Sequence, residues 1–567
     1  MQLIPDLSNI NLIFEKGFAG DSAPEFTANA STTWFNTSDP TAPRRGSVRD
    51  YRLSAQLDLP LREIINIGKP TVSFSGLYLA LLELPKILSN FEDPMAVLKT
   101  FELSVVGQKP APPKVRTIMT YAERYATGKT LRETCPRKAH AAWKAPSNRR
   151  DAVQQVLDAE KGRLPDLLPL RHGRMARSAF TFYRGAALTM ASDLASTPST
   201  GVHVQCCGDA HLSNFGGFAT PERKIIFSIN DLDETLPAPW EWDVKRLAAS
   251  FVVACRDNGV SDSTAKDVAT TCIRTYREST AEFSKMQTLE LWYYALEPDE
   301  LLGMSDMDIR KRVMKRIEQE RAKSAAEEIF PKLVEHKGDK PIIKDQLPTI
   351  FHAKGHPPGE VPQDFKDAFS GYRNTLSPAC QSLLDRYEIK DAAIKVVGIG
   401  SVGTVCWVAL LMAGRGDPLF LQIKQARASV LEPYAGASVF PNHGQRVVHG
   451  YRLMQPASDM FLGWTQGPKR HFFLRQLRDT KISIRVETFR RREMDLYAKW
   501  CGRALALSHA RSGFAATLSG YMGKSDRFDQ AIAVFAMAYA NQNEKDHAAL
   551  QRAVRTGTVK AVFEDGR

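Results

Sequence analysis

Apolar residues change their period several times along this chain, and each change marks a different kind of element. Over residues 1–117 Ser, Thr, Pro and Asn are frequent; one apolar helix is predicted at 77–98, and Pro110-Ala-Pro-Pro-Lys114 reads as a linker. From 120 to 168 the spacing is helical and polar. Residues 202–206 alternate apolar and polar, as a half-buried strand does, and 224–229 form a second, apolar strand. The run 240–255 predicts a helix buried on one side. Residues 262–345 predict charged helix, with Glu and Lys/Arg at neighbouring helical positions, and 375–384 a further helix. Strands are then predicted at 394–397, 405–411, 419–423, 446–454 and 471–477, followed by helices at 495–509 and 528–540. Strands are segregated from helices instead of alternating with them, so the fold class is α+β. No internal repeat is visible.

A length of 567 residues exceeds one ordinary core and implies two or three domains or lobes. At 43% apolar and 25% charged, the composition is that of a globular protein. The net charge of +13 fits either a mildly basic, soluble surface or an anionic partner such as a nucleotide, nucleic acid or acidic metabolite, but no run of five or six Lys/Arg occurs, and patches such as Arg490-Arg491-Arg492 are short. The charge therefore gives no strong sign of nucleic acid. Eight cysteines without a CxxC pair suggest reduced thiols in a cytoplasm. The N-terminus lacks the basic and apolar regions of a signal peptide, and the apolar run 72–84 is too short to span a bilayer. Nothing in the sequence sets the oligomeric state.

The strongest chemistry lies in Cys207-Gly-Asp209-Ala-His211-Leu-Ser-Asn214-Phe-Gly216. An acid followed five positions later by an amide, in a loop after a strand, is what phosphoryl transfer uses. The carboxylate handles the acceptor hydroxyl, and the amide oxygen ligates magnesium. Asp209 and Asn214 fit those roles. A second metal-binding carboxylate should follow another short strand, and Asp231 does, with Asp233 beside it. Asp209 and Asn214 would otherwise be turn and cap residues. The second motif is Val397-Gly398-Ile-Gly400-Ser401-Val-Gly403-Thr, followed by Lys424 on a later strand. Glycines between strands let backbone N–H groups approach phosphate oxygens, and a strand lysine then pairs with the phosphates. Helix does not follow these glycines, which argues against a dinucleotide fold. Glu432 is the nearest acid after Lys424 that could hold the lysine.

Gly208-Asp-Ala-His-Leu-Ser-Asn214 resembles the catalytic loop of aminoglycoside phosphotransferases and the wider protein-kinase-like superfamily, and Asn230-Asp-Leu-Asp-Glu234 resembles their metal-binding motif. Asp243 is similar to the acid that braces the catalytic loop in those folds. Residues 120–560 more closely resemble a widespread bacterial family of unknown function, through Phe180-Thr-Phe-Tyr-Arg-Gly-Ala and the Gly-Asp-Ala-His-Leu-Ser-Asn-Phe-Gly, Asn-Asp-Leu-Asp-Glu-Thr and Gly-Ile-Gly-Ser-Val-Gly-Thr segments. The resemblance implies a bilobal kinase-like fold using ATP and Mg2+. In kinases the glycine loop precedes the catalytic loop; here it follows, and Trp500-Cys-Gly-Arg-Ala-Leu-Ala-Leu-Ser-His509 resembles the helix that leads into that loop. The expected fold is therefore circularly permuted, which chains with neighbouring termini tolerate. Its parts would be an N-terminal extension at 1–117, a catalytic-loop lobe with a helical insert at 118–390, a small β-rich nucleotide lobe at 391–480, and C-terminal helices at 481–567 packed on the catalytic lobe.

Several residues carry weaker expectations. Arg184 could bind phosphate or substrate, and His211 more simply braces its own loop. Gln455 and Asp459 could line a nucleotide pocket. Tyr539, Gln542 and Asp546 share a helix face that either covers substrate or packs as a polar seam. Phe180, Phe182 and Trp242 are expected in the core. Against a phosphotransferase of unknown acceptor stand two other readings. One is a metal-dependent phosphohydrolase using His203, Asp209, His211, Asp231 and Asp233; the other is a non-catalytic nucleotide-binding protein.

Overall fold

The computed structural model describes residues 118–564 except 304–306, 322–328, 354, 397, 415, 478–481 and 483, together with four strands within the first 117 residues. The chain divides into two compact units, Met1–Ile118 and Met119–Arg567. In the first, Ile13–Lys16, Glu25–Thr32, Arg49–Gln56 and Ser104–Val106 form an antiparallel sheet in that order. That part of the chain was expected to be poorly defined, and it carries a sheet. The helix expected at 77–98 and the linker at 110–114 lie outside the described residues.

The second unit mixes helix and strand as α+β. Its largest sheet is six-stranded and antiparallel, in the order Ile350–Phe351, Tyr387–Lys395, Cys406–Ala413, Pro418–Ala426, His471–Gln476, Gly463–Gln466. Lys424 faces Cys406 on one neighbour and Phe473 on the other. The strand expected at 446–454 is instead the helix His443–Met454. Its buried Val447, Val448, Tyr451 and Met454 recur at helical spacing, and the Asn442 side chain caps it by accepting from Gly444 and Gln445 N–H. Two glycines let this helix sit close to its neighbours. A Cβ at Gly444 would lie 2.1 Å from the Phe472 carbonyl oxygen, and one at Gly450 2.3 Å from Thr235 Cγ2.

Two small hairpins carry the motif loops. His203–Cys206 pairs with Leu236–Pro239, and Phe215–Ala219 pairs with Ile225–Ile229. The first rests on the helix Trp240–Asp257, whose residues from Trp240 to Cys255 are all buried, not on one side only, and the second rests on the helix Arg491–His509. Several polar groups of Trp240–Asp257 are paired inside the protein: Glu241 accepts from Thr200 N–H at one oxygen, and Lys245 donates to the Thr197 hydroxyl, while Glu241 Oε2 and Trp242 Nε1 have no partner among the described residues. The helices Asp262–Phe283, Arg491–His509 and Arg527–Arg555 wrap this centre, and one core cluster runs from Phe180 to Ala540. Helices Thr288–Tyr293, Pro298–Gly303, Met307–Arg321 and Phe330–Leu333 follow Asp262–Phe283. The expected helix at 262–345 then gives way to a hairpin, Val334–Lys337 with Lys340–Ile343, where Gly338 takes a left-handed turn at φ 62°. All eight cysteines are free. No described helix is long and apolar enough to cross a membrane.

Candidate active site

The loop after His203–Cys206 is held by its backbone. Gly208 has φ 82°, and a Cβ there would lie 2.4 Å from the Glu234 carbonyl oxygen, so only glycine fits. Cys207 and Gly208 N–H donate to the two Asp243 carboxylate oxygens at 2.5 and 3.0 Å. Asp243 is thus the brace expected from the sequence. His509 Nε2 lies 3.2 Å from the same carboxylate, and its Nδ1 lies 2.9 Å from the Tyr276 hydroxyl. Cys206, Asp243 and His509 lie close enough together to hold a metal ion, but Asp243 and His509 are already committed to bracing the loop. Just beyond His509, the Ser512 hydroxyl accepts from Gln205 N–H at 3.0 Å, at the strand that enters the loop.

Asp209 takes two hydrogen bonds from Arg246 on its Oδ1, one of them from Nε at 2.7 Å. Its Oδ2 lies 3.8 Å from His211 Nε2, and its side chain keeps 20% exposure. Burial pushes this carboxyl up to about 7, against the pull of Arg246. A proton acceptor in that range is matched to neutral pH. His211 is buried edge-on against Phe180, and burial together with the Arg184 and Arg246 charges holds it well below the usual histidine range, so it is neutral. The Asn214 amide nitrogen donates to the Asp209 carbonyl at 2.9 Å. That bond turns its amide oxygen outward as the remaining donor atom.

Lys424 reaches these residues from the sheet. Its Nζ lies 2.6 Å from Asp233 Oδ2 and 3.7 Å from Asp231 Oδ2. Burial acts to lower this ammonium, but Asp231 and Asp233 more than offset it and hold it above the ordinary lysine value. Burial and the adjacent Asp231 push Asp233 upward as well, while Lys424 opposes them. Asp233 Oδ1 is buried without a hydrogen-bond partner among the described residues. Glu432, expected to hold Lys424, does not. It starts the short helix Glu432–Ala435, accepts from Ser429 N–H at 3.0 Å and lies 3.9 Å from Arg446. The helix His443–Met454 carries no acid at all, so the lysine's counter-charge comes from the Asp231–Asp233 segment instead.

The glycine loop closes over this group. Gly398 and Gly403 have φ of 64° and 85°, and a Cβ at Gly403 would lie 3.1 Å from Arg163 Cβ. The Gly398 carbonyl accepts from Arg174, and the Gly403 carbonyl accepts from Leu164 N–H at 2.7 Å. Val397 lies outside the described residues. Beneath the loop, two cavities share Arg184, Asn214, Asp231, Gly398 and Ser401 as walls. The larger, about 580 Å³, is bounded by Lys424, Tyr451, Gln455, Asp459, Leu477 and other residues of the sheet side. The smaller, about 280 Å³, contains Asp209 and His211. Arg184 lies under the Phe180 ring, its Nε buried without a partner, and it forms no ion pair among the described residues.

A family model described as an uncharacterised protein conserved in bacteria, DUF2252, matches residues 163–553. The chain belongs to that family. Comparison with curated proteins and with solved structures finds no match.

In this DUF2252 member the matched region holds both motif loops, the glycine loop and Lys424. Gln455 and Asp459 line the larger cavity as expected, but both also serve the backbone: Gln455 donates to the Ile229 carbonyl, and Asp459 accepts from Phe461 N–H. Tyr539, Gln542 and Asp546 form a polar seam away from both cavities. The Tyr539 hydroxyl donates to Asp193, and Arg149 bridges Asp193 and Asp546 at 2.7 Å each. Phe180, Phe182 and Trp242 are core residues. His203 stands at the exposed start of its strand and lines neither cavity. Arg246 and Arg475 were missed from the sequence. Arg246 sits one turn after Asp243 on the same helix, and Arg475 interrupts an apolar strand, where it donates to the Asn230 carbonyl and the Tyr451 hydroxyl. A charge inside an apolar run was the available signal for both.

Proposed function

We propose that this DUF2252 protein is an ATP- and Mg2+-dependent phosphotransferase on a circularly permuted, bilobal kinase-like fold. The observation that carries this reading is the meeting of Lys424 with Asp233 and Asp231 beneath the glycine loop, although Lys424 and Asp233 stand 191 positions apart. Its further support is the sequence of parts in the sheet. Two strands flank the glycine loop, a third bears the lysine, a helix follows, and two more strands complete the set, as in a kinase small lobe. The Gln205–Ser512 hydrogen bond supports the permutation, because it joins the end of the His509 helix to the strand that enters the catalytic loop.

In this reading the nucleotide occupies the larger cavity, and the acceptor hydroxyl sits beside Asp209 in the smaller one. The hydroxyl oxygen forms a bond to the γ-phosphorus, the bond from that phosphorus to the β–γ bridging oxygen breaks with its electron pair going to ADP, and the hydroxyl proton passes to Asp209. Lys424 stabilises the phosphate charge, and Arg246 keeps Asp209 oriented. The oxygen donors of Asn214, Asp231 and Asp233, including the unpartnered Asp233 Oδ1, suit Mg2+. When bound, Mg2+ neutralises phosphate charge. The lysine departs from the kinase pattern in being held by Asp233, not by a helix glutamate.

Calorimetry of Mg·ATP binding to the wild type, Asp231→Ala and Lys424→Ala tests the reading. Both variants should weaken binding by roughly tenfold or more, about 1.4 kcal/mol. A wild type that does not bind nucleotide would sink it. Manganese- or zinc-dependent phosphoester hydrolysis without ATP would then favour the phosphohydrolase.

A further inference from the structure

The smaller cavity has two unlike ends. At one end Asp209 and Asp233 face their cations, Arg246 and Lys424. The other end is built from Arg163, Arg171 and Arg427, with Arg184 between the two. Arg171 is neutralised by Glu160 at 2.7 Å. Arg163 and Arg427 are not: their guanidinium groups donate only to backbone carbonyls. Arg163 holds those of Ala159 and Val402, and Arg427 those of Ala159 and Lys161. Neither they nor Arg184 form an ion pair with any described residue. Two acids line that wall and both are engaged elsewhere: Asp158 pairs with Arg150 and with Lys161 at 3.1 Å, and Glu234 accepts from the Val430 N–H at 2.8 Å.

Three arginines gathered without a direct ion pair cost free energy, because like charges in a partly desolvated space repel, and the nearby Glu160 and Glu234 offset this at Arg163 only in part. Arg163 registers this: burial and the neighbouring Arg171 and Arg427 charges push it down to about 9. The backbone carbonyls fix both guanidiniums in place without cancelling their charge, which is how a preorganised anion site is made.

We infer that the smaller cavity selects a small acceptor that carries its own phosphate or carboxylate, bound by Arg163, Arg427 and Arg184 while its hydroxyl faces Asp209. The inference rests on the phosphotransferase reading for the hydroxyl, but the anion site can be measured separately. The arginines could alternatively hold the terminal phosphates of the nucleotide itself, and the two sources differ in whether anion and nucleotide bind together.

The test is calorimetry on the full chain with glycerol 3-phosphate and with glycerol, each with and without saturating Mg2+ and a non-hydrolysable ATP analogue. Glycerol 3-phosphate should bind the nucleotide-loaded protein at least tenfold more tightly than glycerol. Arg163→Gln and Arg427→Gln should each weaken it at least tenfold, and Arg427→Gln, whose guanidinium holds only the Ala159 and Lys161 carbonyls, should change nucleotide affinity less than twofold. Equal binding of the two probes overturns the inference, as does loss of glycerol 3-phosphate binding when the analogue is present, which would assign the arginines to the nucleotide. If the variants do not fold, the wild-type comparison of the two probes still decides. Absence of nucleotide binding would defeat the phosphotransferase reading alone, since the anion preference is then read in the free protein.

Discussion

Single residues set the site through what they hold in place. Asp243 is nearly inaccessible, and its carboxylate accepts from the Cys207 and Gly208 backbone N–H groups. Asp243→Ala leaves both buried donors unpaired, at about 1–3 kcal/mol each. We expect a lower melting temperature and loss of phosphoryl transfer, with nucleotide affinity falling less, since the loop's Asp209 is displaced while Lys424 is not. Far from the site, His140 is fully buried beside the Tyr521 hydroxyl, and burial with the Lys245 charge pushes it down to about 3. Its folded value lies below the unfolded value of about 6.5, so the unfolded chain takes up the proton first. Its stabilising contribution is complete above about pH 6.5 and is lost as pH falls toward 3. At pH 5.5 the loss is about 1.4 kcal/mol. Denaturant unfolding at pH 7.5 and 5.5 should show that drop in the wild type and not in His140→Gln; an equal drop in both would assign it elsewhere. At this scale the sequence was readable where chemistry is local. Asp209, Asn214, Asp231 and Asp243 stand in short segments whose spacing limits what they can do. The partner of Lys424 was not readable, because nearness along the chain pointed to Glu432 while the fold supplied Asp233 from far away.

Among the elements, the helix His443–Met454 ties the sheet to the metal motif. Arg446 donates to the Asp233 and Thr235 carbonyls, and the Tyr451 hydroxyl donates to the Asn230 carbonyl. Gly450 permits the contact. Gly450→Val would overlap Thr235 and cost about 1–3 kcal/mol through overpacking. The expected result is weakened Mg·ATP binding along with lower stability. Gly414→Ala is the control: nothing lies within 4 Å of a Cβ there, so its change should stay within about 0.5 kcal/mol. The same helix shows why sequence reading misassigned it. Adjacent Val447 and Val448 look like strand, and the helical signal is spread over Tyr451 and Met454 a turn or two later. The opposite error occurred in the first unit. Phe26, Ala28 and Ala30, and then Tyr51, Leu53 and Ala55, alternate at period two, but small residues and a polar background diluted the signal.

For the whole molecule, the core cluster draws on residues from Phe180 to Ala540, including the helices Arg491–His509 and Arg527–Arg555. A chain of residues 119–567 should therefore unfold in one cooperative transition by calorimetry. A chain ending at residue 480 should not fold, since the apolar faces of Trp240–Asp257 and Asp262–Phe283 would lose their cover. Two independent transitions in the longer chain would show that the core is less shared than the packing implies. The α+β class and the order of the main elements were legible because amphipathic periods are local properties. That residues near 205 and 512 are neighbours was suggested only by a permuted order of motifs, since no local pattern records long-range contact.

That closure has a consequence for how the protein is made. The strand entering the Asp209 loop is fastened by Ser512, 307 positions later, and the loop's brace is backed by His509. At roughly 5–20 residues per second, a ribosome needs about 15–60 s to produce the fastening after the loop has been synthesised. During that interval Asp209 and Asp231 exist on a nascent chain that cannot yet arrange them, so the site forms only after Ser512 has been made.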